Sequence, residues 1–146
     1  MFGIWTSKSK GQNPNFKGRR MSSEIVYDLE PRTFEFAARV RRWVRTTKKT
    51  VTTYDDLKQV IRSSGSVGAN YIEAQEAISP KDFALRIKIC RKEARESHYW
   101  LRLLAENIDE EQPELLLLIQ ESLELAKIFG SIVKRKLELL ANDARA

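Results

Sequence analysis

The fold is decided by residues 79–106, which read SPKDFALRIKICRKEARESHYWLRLLAE. Ser79 suits a helix cap, Pro80 suits the first helical position, and the acidic Asp82 favours the first turn. At about 100° per residue, small and apolar side chains line one face of this helix. They are Phe83, Ile87, Cys90, Ala94, Ser97, Leu101, Leu104 and Ala105. The segment therefore predicts a long amphipathic helix that buries this face in a helical core.

The flanking sequence predicts three further helices, over residues 31–48, 53–77 and 113–141. In the second, Thr53 is expected to cap the helix while Asp56 reaches back to it. Short connections between helices place successive helices antiparallel. No alternation of polar and apolar residues predicts a strand. We therefore expect an all-α protein, an antiparallel up-down-up-down four-helix bundle.

The length of 146 residues suits one domain, which we place at residues 25–146. The single cysteine, Cys90, excludes an internal disulfide and a cysteine-based zinc site. The sequence contains no uninterrupted apolar stretch of about 18 residues, so no membrane span is predicted. The N-terminus has no secretory pattern. These features favour a cytoplasmic protein without a membrane partner.

Residues 1–24 have no helical or strand periodicity and predict a disordered basic arm. Five basic residues and no acidic residue lie within residues 1–20, whereas the chain as a whole carries a net charge of +6. Met21 also resembles a natural start, so residues 1–20 are either a native arm or an upstream extension. A basic tail on a nearly neutral domain is a weaker nucleic-acid signal than a uniformly basic domain.

A second apolar line lies on the other side of the helix at residues 79–106. It consists of Leu85, Ile89, Tyr99, Trp100 and Leu103. A monomeric surface helix needs one apolar stripe, and a second stripe needs a second partner. We therefore predict that these five residues form the interface of a homo-oligomer. The alternative is a thicker internal core with some apolar residues left at the surface.

Basic residues are concentrated on the first and third predicted helices. The candidate nucleic-acid-binding residues are Arg39, Arg42, Arg45, Lys88, Arg91, Lys92, Arg95 and Arg102. One interpretation is a surface, built from both helices, that follows a phosphate backbone. The other is charge complementarity between helices, in which each exposed ion pair contributes only a few tenths of a kcal/mol.

The run RSSGSVGAN, residues 62–70, has a low helix propensity. Ser64 and Gly68 are four residues apart and are expected to allow close helix packing. A phosphate-binding glycine loop and a hinge are the other interpretations. A P-loop requires a Lys-Ser or Lys-Thr ending after a strand, and neither is present.

The sequence contains no recognisable catalytic set. His98 is the only histidine and lies near the core face of its helix, where a hydrogen-bonded structural role is favoured over catalysis. The carboxylates Glu73 and Glu76 are three residues apart, but without histidines they make a poor metal site. We therefore predict no enzymatic activity, no metal and no cofactor.

Three stretches resemble the bacterial four-helix-bundle family whose first members are encoded in intervening sequences of 23S ribosomal RNA genes. They are IRSSGSVGANYIEA at 61–74, SPKDF at 79–83 and KEARESHYWLRLL at 92–104. The resemblance covers about residues 27–140 and implies pentameric rings of antiparallel bundles. It also implies kinship with accessory proteins of diversity-generating retroelements, which bind nucleic acid and a reverse transcriptase.

Two functions are therefore expected. The first is a non-enzymatic oligomer that binds RNA or other nucleic acid through its basic helices. The alternative is a structural or protein-interaction scaffold without nucleic-acid binding.

Overall fold

A computed structural model describes residues 28–146, which contain four helices and no strand. The helices are α1 (Leu29–Thr46), α2 (Tyr54–Gln75), α3 (Pro80–Glu106) and α4 (Pro113–Asp143). The predicted all-α class and the four-helix arrangement are confirmed, and the predicted helix ends lie within two residues of the observed ones. The arm predicted at residues 1–24 lies outside the described residues. No helix between residues 28 and 146 is both long enough and apolar enough to span a bilayer.

Of the two predicted helix caps, Ser79 caps its helix and Thr53 does not. Ser79 Oγ accepts a hydrogen bond from the Asp82 backbone N–H at 3.1 Å, and the Asp82 carboxylate accepts one from the backbone of Ile78 at 3.2 Å. The capping role predicted for Thr53 was wrong, because its side chain makes no cap bond to α2. Its backbone is already helical, and its Oγ1 instead accepts a hydrogen bond from the Thr50 N–H at 2.9 Å.

Cross-helix contacts show which helices are neighbours. α1 packs against α2 and α4, and α3 packs against the same two helices, so α1 and α3 lie diagonally across the bundle. Contacting residue numbers rise in one helix while they fall in the next. In the α1–α4 pair, Arg32 binds Glu121 and Arg39 binds Glu114. This order is that of an up-down-up-down bundle.

The core is filled from all four helices, and its α3 side follows the predicted face. Six of the eight residues predicted for that face are buried, whereas Phe83 and Ala105 are half-buried. A polar contact crosses the α2–α3 interface, where Ser97 Oγ lies 2.8 Å from Ser63 Oγ. The largest completely enclosed side chains are Phe36, Phe129, Ile87, Leu101, Leu104, Leu118 and Leu125.

The run at residues 62–70 is helical throughout and lies within α2. Ser64 is buried, and its hydroxyl donates to the Ile61 carbonyl at 3.2 Å, so its polar atom is satisfied within the helix. At Gly68, an added Cβ would lie only 2.9 Å from Thr33 Oγ1 on α1. The missing side chain therefore lets the backbones of α1 and α2 approach closely.

Candidate nucleic-acid interface

A groove of about 840 Å³ lies between α3 and α4, and cations border it without any acidic residue. Its charged lining consists of Arg91, Arg95, Arg102, Lys127 and Lys134. The arginines are four and seven residues apart on α3, and the lysines are seven apart on α4. These spacings place each set on one side of its helix, so that both sets face the same groove.

A second depression of about 650 Å³ continues this groove and shares Arg91, Arg95 and Lys134 with it. It adds Lys88 and Lys92, and its lining also contains no acidic residue. We call the two together the basic groove, whose seven cations are Lys88, Arg91, Lys92, Arg95, Arg102, Lys127 and Lys134. From Lys88 to Arg102 the α3 wall extends for about 21 Å at the usual helical rise.

None of these seven cations forms an ion pair with another residue between 28 and 146. Several arginines outside the groove are paired. Arg39 Nε lies 2.8 Å from a Glu114 oxygen, and Arg32 lies 2.7 Å from both Glu121 and Glu124. The basic groove therefore keeps a cluster of positive charge that no ion pair to a described residue neutralises.

The structure divides the eight predicted nucleic-acid-binding residues between two surfaces. The five on α3 all border the basic groove, whereas Arg39, Arg42 and Arg45 lie on the diagonally opposite helix. Arg39 pairs with α4, and Arg42 pairs with Glu35 on its own helix. The single surface predicted from the first and third helices is therefore not formed, because α4 and α2 separate them.

Lys127 and Lys134 were not among the predicted residues. α4 is acidic as a whole, which concealed them, but three of its five acids, Glu114, Glu121 and Glu124, lie in its first half and pair with α1. The seven-residue spacing of the two lysines was the signal in the sequence that could have placed them on one face.

Gly130 shapes the α4 wall of the groove. A Cβ at Gly130 would lie 3.4 Å from Arg91 Nε and 3.6 Å from its Cδ. The Arg91 side chain therefore crosses α4 at this point, where a longer side chain would displace it. The Arg91 side chain thus lies against α4 at the position of Gly130.

His98 lies in the wall of the groove and is anchored to α4. Its Nδ1 is 3.1 Å from the Ile119 carbonyl oxygen and 3.1 Å from Ser122 Oγ. Because a carbonyl can only accept, we assign the hydrogen of the neutral ring to Nδ1. The Ser122 hydroxyl donates to the same Ile119 carbonyl at 2.7 Å. No carboxylate among the described residues hydrogen-bonds this ring, and the hydroxyl hydrogen of Ser122 is donated to a backbone carbonyl rather than to the ring.

On the α2 side of α3, the acidic residues are occupied by Arg62. This arginine pairs with Glu93 at 3.3 Å and also with Glu96. Burial raises the pKa of Glu96, but hydrogen bonds from Arg62 and Trp100 outweigh it, so the pKa is lowered overall. Both carboxylates are thus paired with Arg62 on this side of α3.

Cys90 offers no reactive thiol. It is completely buried, and burial raises its pKa to about 12. The described residues also contain no group of three His, Cys, Asp or Glu side chains placed to hold a metal ion.

The five residues of the predicted oligomer interface lie along α3 and differ in exposure. Leu85 and Tyr99 are 54% and 57% exposed, whereas Ile89, Trp100 and Leu103 are half-buried. Trp100 packs against the core, and its Nε1 donates to Glu96 at 3.3 Å. Trp100 therefore contributes to the internal packing of the protomer.

A second apolar surface lies between α1 and α2, in a depression of about 700 Å³. Phe34 stands at its edge with 73% of its surface exposed, and Ile72 is 50% exposed. Small residues form much of the remaining lining, namely Ala37, Ala38, Gly65, Gly68 and Ala69. Exposed apolar surface is thus distributed over several helices and is not confined to α3.

Comparisons with known proteins agree on one family. The model of the 23S rRNA-intervening sequence protein family matches residues 28–137. A crystal structure of a protein of unknown function from the S23 ribosomal protein family, from Bacteroides thetaiotaomicron, is 33% identical with a TM-score of 0.64. The match covers 73% of this chain and 98% of that chain. No curated protein matches the chain.

Proposed function

The chain belongs to the 23S rRNA-intervening sequence protein family, and from this premise we propose that it is a non-enzymatic protein that binds RNA along the basic groove. The observation that carries the proposal is a groove with seven cations, no acidic lining residue and no ion pair to a described residue. Arginine and lysine side chains left unpaired in this way bind phosphate oxygens, which provide most of the affinity for nucleic acid.

The extent of the groove favours a polyanion over a small anion. Its α3 wall alone presents cations over about 21 Å, which exceeds the size of a single phosphate group. Each phosphate that is neutralised releases a counterion, so the logarithm of affinity should fall linearly with the logarithm of salt concentration. For a single strand that contacts five phosphates, the expected slope is about −3.5.

The test is fluorescence anisotropy of labelled RNA, titrated with the full chain between about 50 and 200 mM salt. Arg95→Glu removes one groove cation, and Arg45→Glu makes the same charge change on the diagonal helix. We expect Arg95→Glu to weaken binding at low salt and to reduce the salt slope by about 1, while Arg45→Glu leaves the slope unchanged. Equal effects of the two variants would show that the groove is not the binding surface.

A second candidate function is protein interaction, which the exposed apolar residues favour. We propose that the protein self-associates, because Phe34, Leu85 and Tyr99 are each more than half exposed. Light scattering of the full chain tests this, with Leu85→Glu as the variant that adds charge without disturbing the core. A concentration-independent monomer would refute self-association.

A pentameric ring and a reverse transcriptase as a protein partner stay predictions from the resemblance. A cytoplasmic location stays a prediction from the sequence pattern. Capture of a protein partner after nuclease treatment would favour the scaffold function over RNA binding.

A further inference from the structure

The ring orientation of His98 has a consequence for the basic groove. The Nδ1 hydrogen is directed at the Ile119 carbonyl, so in the neutral ring Nε2 has a lone pair and can only accept. Nε2 makes no hydrogen bond to a described residue. Between residues 28 and 146, every fully buried side-chain nitrogen or oxygen has a hydrogen-bond partner. Because Nε2 has none, it is not fully buried and has access to solvent. His98 thus provides an acceptor, held in place by α4, beside the cations that line the groove.

A hydrogen-bond acceptor that lies among phosphate-binding cations can be bound only by a ligand that has a hydrogen-bond donor close to one of its phosphates. In a nucleic-acid strand the phosphates themselves only accept, and the ribose 2′-hydroxyl is the donor nearest to them. This hydroxyl is absent from DNA. We propose that the basic groove binds a single strand of RNA in preference to DNA and that His98 Nε2 accepts a hydrogen bond from a 2′-hydroxyl. The proposal rests on the proposed function.

The position of His98 favours a single strand over a duplex. The ring is half-buried in the wall of the groove between α3 and α4. A flexible single strand can turn a ribose toward such a recessed atom, whereas a rigid duplex would rest on the rim of the groove. His98 is therefore a specificity-determining residue, and Arg91, Arg95 and Arg102 beside it supply the affinity.

The experiment compares single strands of oligo-U, oligo-dU and 2′-O-methyl oligo-U, whose bases are identical. The full chain is expected to bind oligo-U about 2- to 10-fold more tightly than oligo-dU, the effect of one net hydrogen bond. The 2′-O-methyl strand should bind as weakly as oligo-dU, because methylation removes the donor. Duplex RNA of the same length should bind more weakly than oligo-U.

The variant His98→Asn distinguishes the role of Nε2 from that of Nδ1. An asparagine amide can still donate to the Ile119 carbonyl, as Nδ1 does, but it has no group at the Nε2 position. We expect this variant to bind oligo-U and oligo-dU equally, at the affinity that the unchanged protein has for oligo-dU. Circular dichroism establishes whether the variant remains folded.

Each outcome is decisive. Equal binding of oligo-U and oligo-dU by the unchanged protein would overturn the role of His98 while leaving the proposed function in place. A preference for oligo-U that survives in folded His98→Asn would also overturn it. Absence of binding to any strand would instead refute the proposed function. If His98→Asn fails to fold, the 2′-O-methyl strand still tests the proposal. Binding of that strand as tight as binding of oligo-U would exclude a hydrogen bond donated by the 2′-hydroxyl.

Discussion

Replacing Gly68 by alanine tests how closely α1 and α2 approach each other. The added Cβ would lie 2.9 Å from Thr33 Oγ1, closer than real Cβ atoms come, and 3.3 Å from Thr33 Cβ, which is a tight contact. Thr33 cannot easily move away, because it is 1% exposed and its hydroxyl donates to the Leu29 carbonyl at 2.6 Å. The two helices must therefore separate, or a buried hydrogen bond must break.

The magnitude follows from two opposing effects. Alanine is favoured over glycine within a helix by about 1 kcal/mol. Overpacking of a close interface costs about 1–3 kcal/mol. We therefore expect Gly68→Ala to lower the free energy of unfolding by about 1 kcal/mol.

Gly130→Ala is the matched control, because it gains the same helix propensity as Gly68→Ala but its added Cβ does not clash. Its Cβ would lie 3.4 Å from Arg91 Nε, an ordinary contact with a flexible side chain. This variant should therefore be more stable than the unchanged protein by about 0.5–1 kcal/mol. Gly65→Ala should fall between the two, since its nearest neighbour is the end of the Arg41 side chain at 3.0 Å.

The assay is urea denaturation followed by far-ultraviolet circular dichroism, at one protein concentration so that self-association does not alter the comparison. Thr33→Ala in combination with Gly68→Ala should recover part of the lost stability, because it removes the clashing oxygen. The reasoning is refuted if Gly68→Ala is as stable as Gly130→Ala.

Three further predictions concern single side chains. The pKa of Glu96 is lowered in the folded protein, so its ionised carboxylate contributes to stability. This contribution is complete above the pKa of unfolded glutamate, about 4.3, and is lost as the pH falls through the lower pKa of the folded state. Urea midpoints measured across this acidic range should therefore fall less steeply in Glu96→Gln. Cys90 should not react with a thiol reagent at about pH 8 until denaturant is added, since burial raises its pKa to about 12; rapid labelling of the native protein would contradict its burial. Trp43→Phe should lower stability by about 1 kcal/mol, because it deletes the 2.6 Å hydrogen bond from Nε1 to Gln112 that joins α1 to the residue before α4. An unchanged urea midpoint would show that this bond contributes nothing.

The boundaries of the helices were accessible from the sequence because they depend on neighbouring residues. Ser79, Pro80 and Asp82 mark the start of α3 within one turn, and the observed cap uses these residues. Thr53 carries a similar pattern but does not cap α2. The Thr53 hydroxyl oxygen instead accepts a hydrogen bond from the Thr50 N–H, and Thr50 is not part of the capping pattern.

The location of the basic groove was only half predictable. The α3 arginines were identified because their spacing places them on one face of one helix. Arg39 has the same chemistry, but Glu114 on α4 neutralises it from 75 positions away in the chain. Lys127 and Lys134 join the groove only because α4 packs beside α3.

The sequence alone determined four amphipathic helices, their approximate ends and the residues of α3 that face the core, because periodicity and capping act within a few residues of the chain. The tertiary structure decided which charges remain unpaired, which glycine is a point of close contact, and what His98 faces. Those properties depend on atoms from different helices, whose distances are set by packing and not by position along the chain.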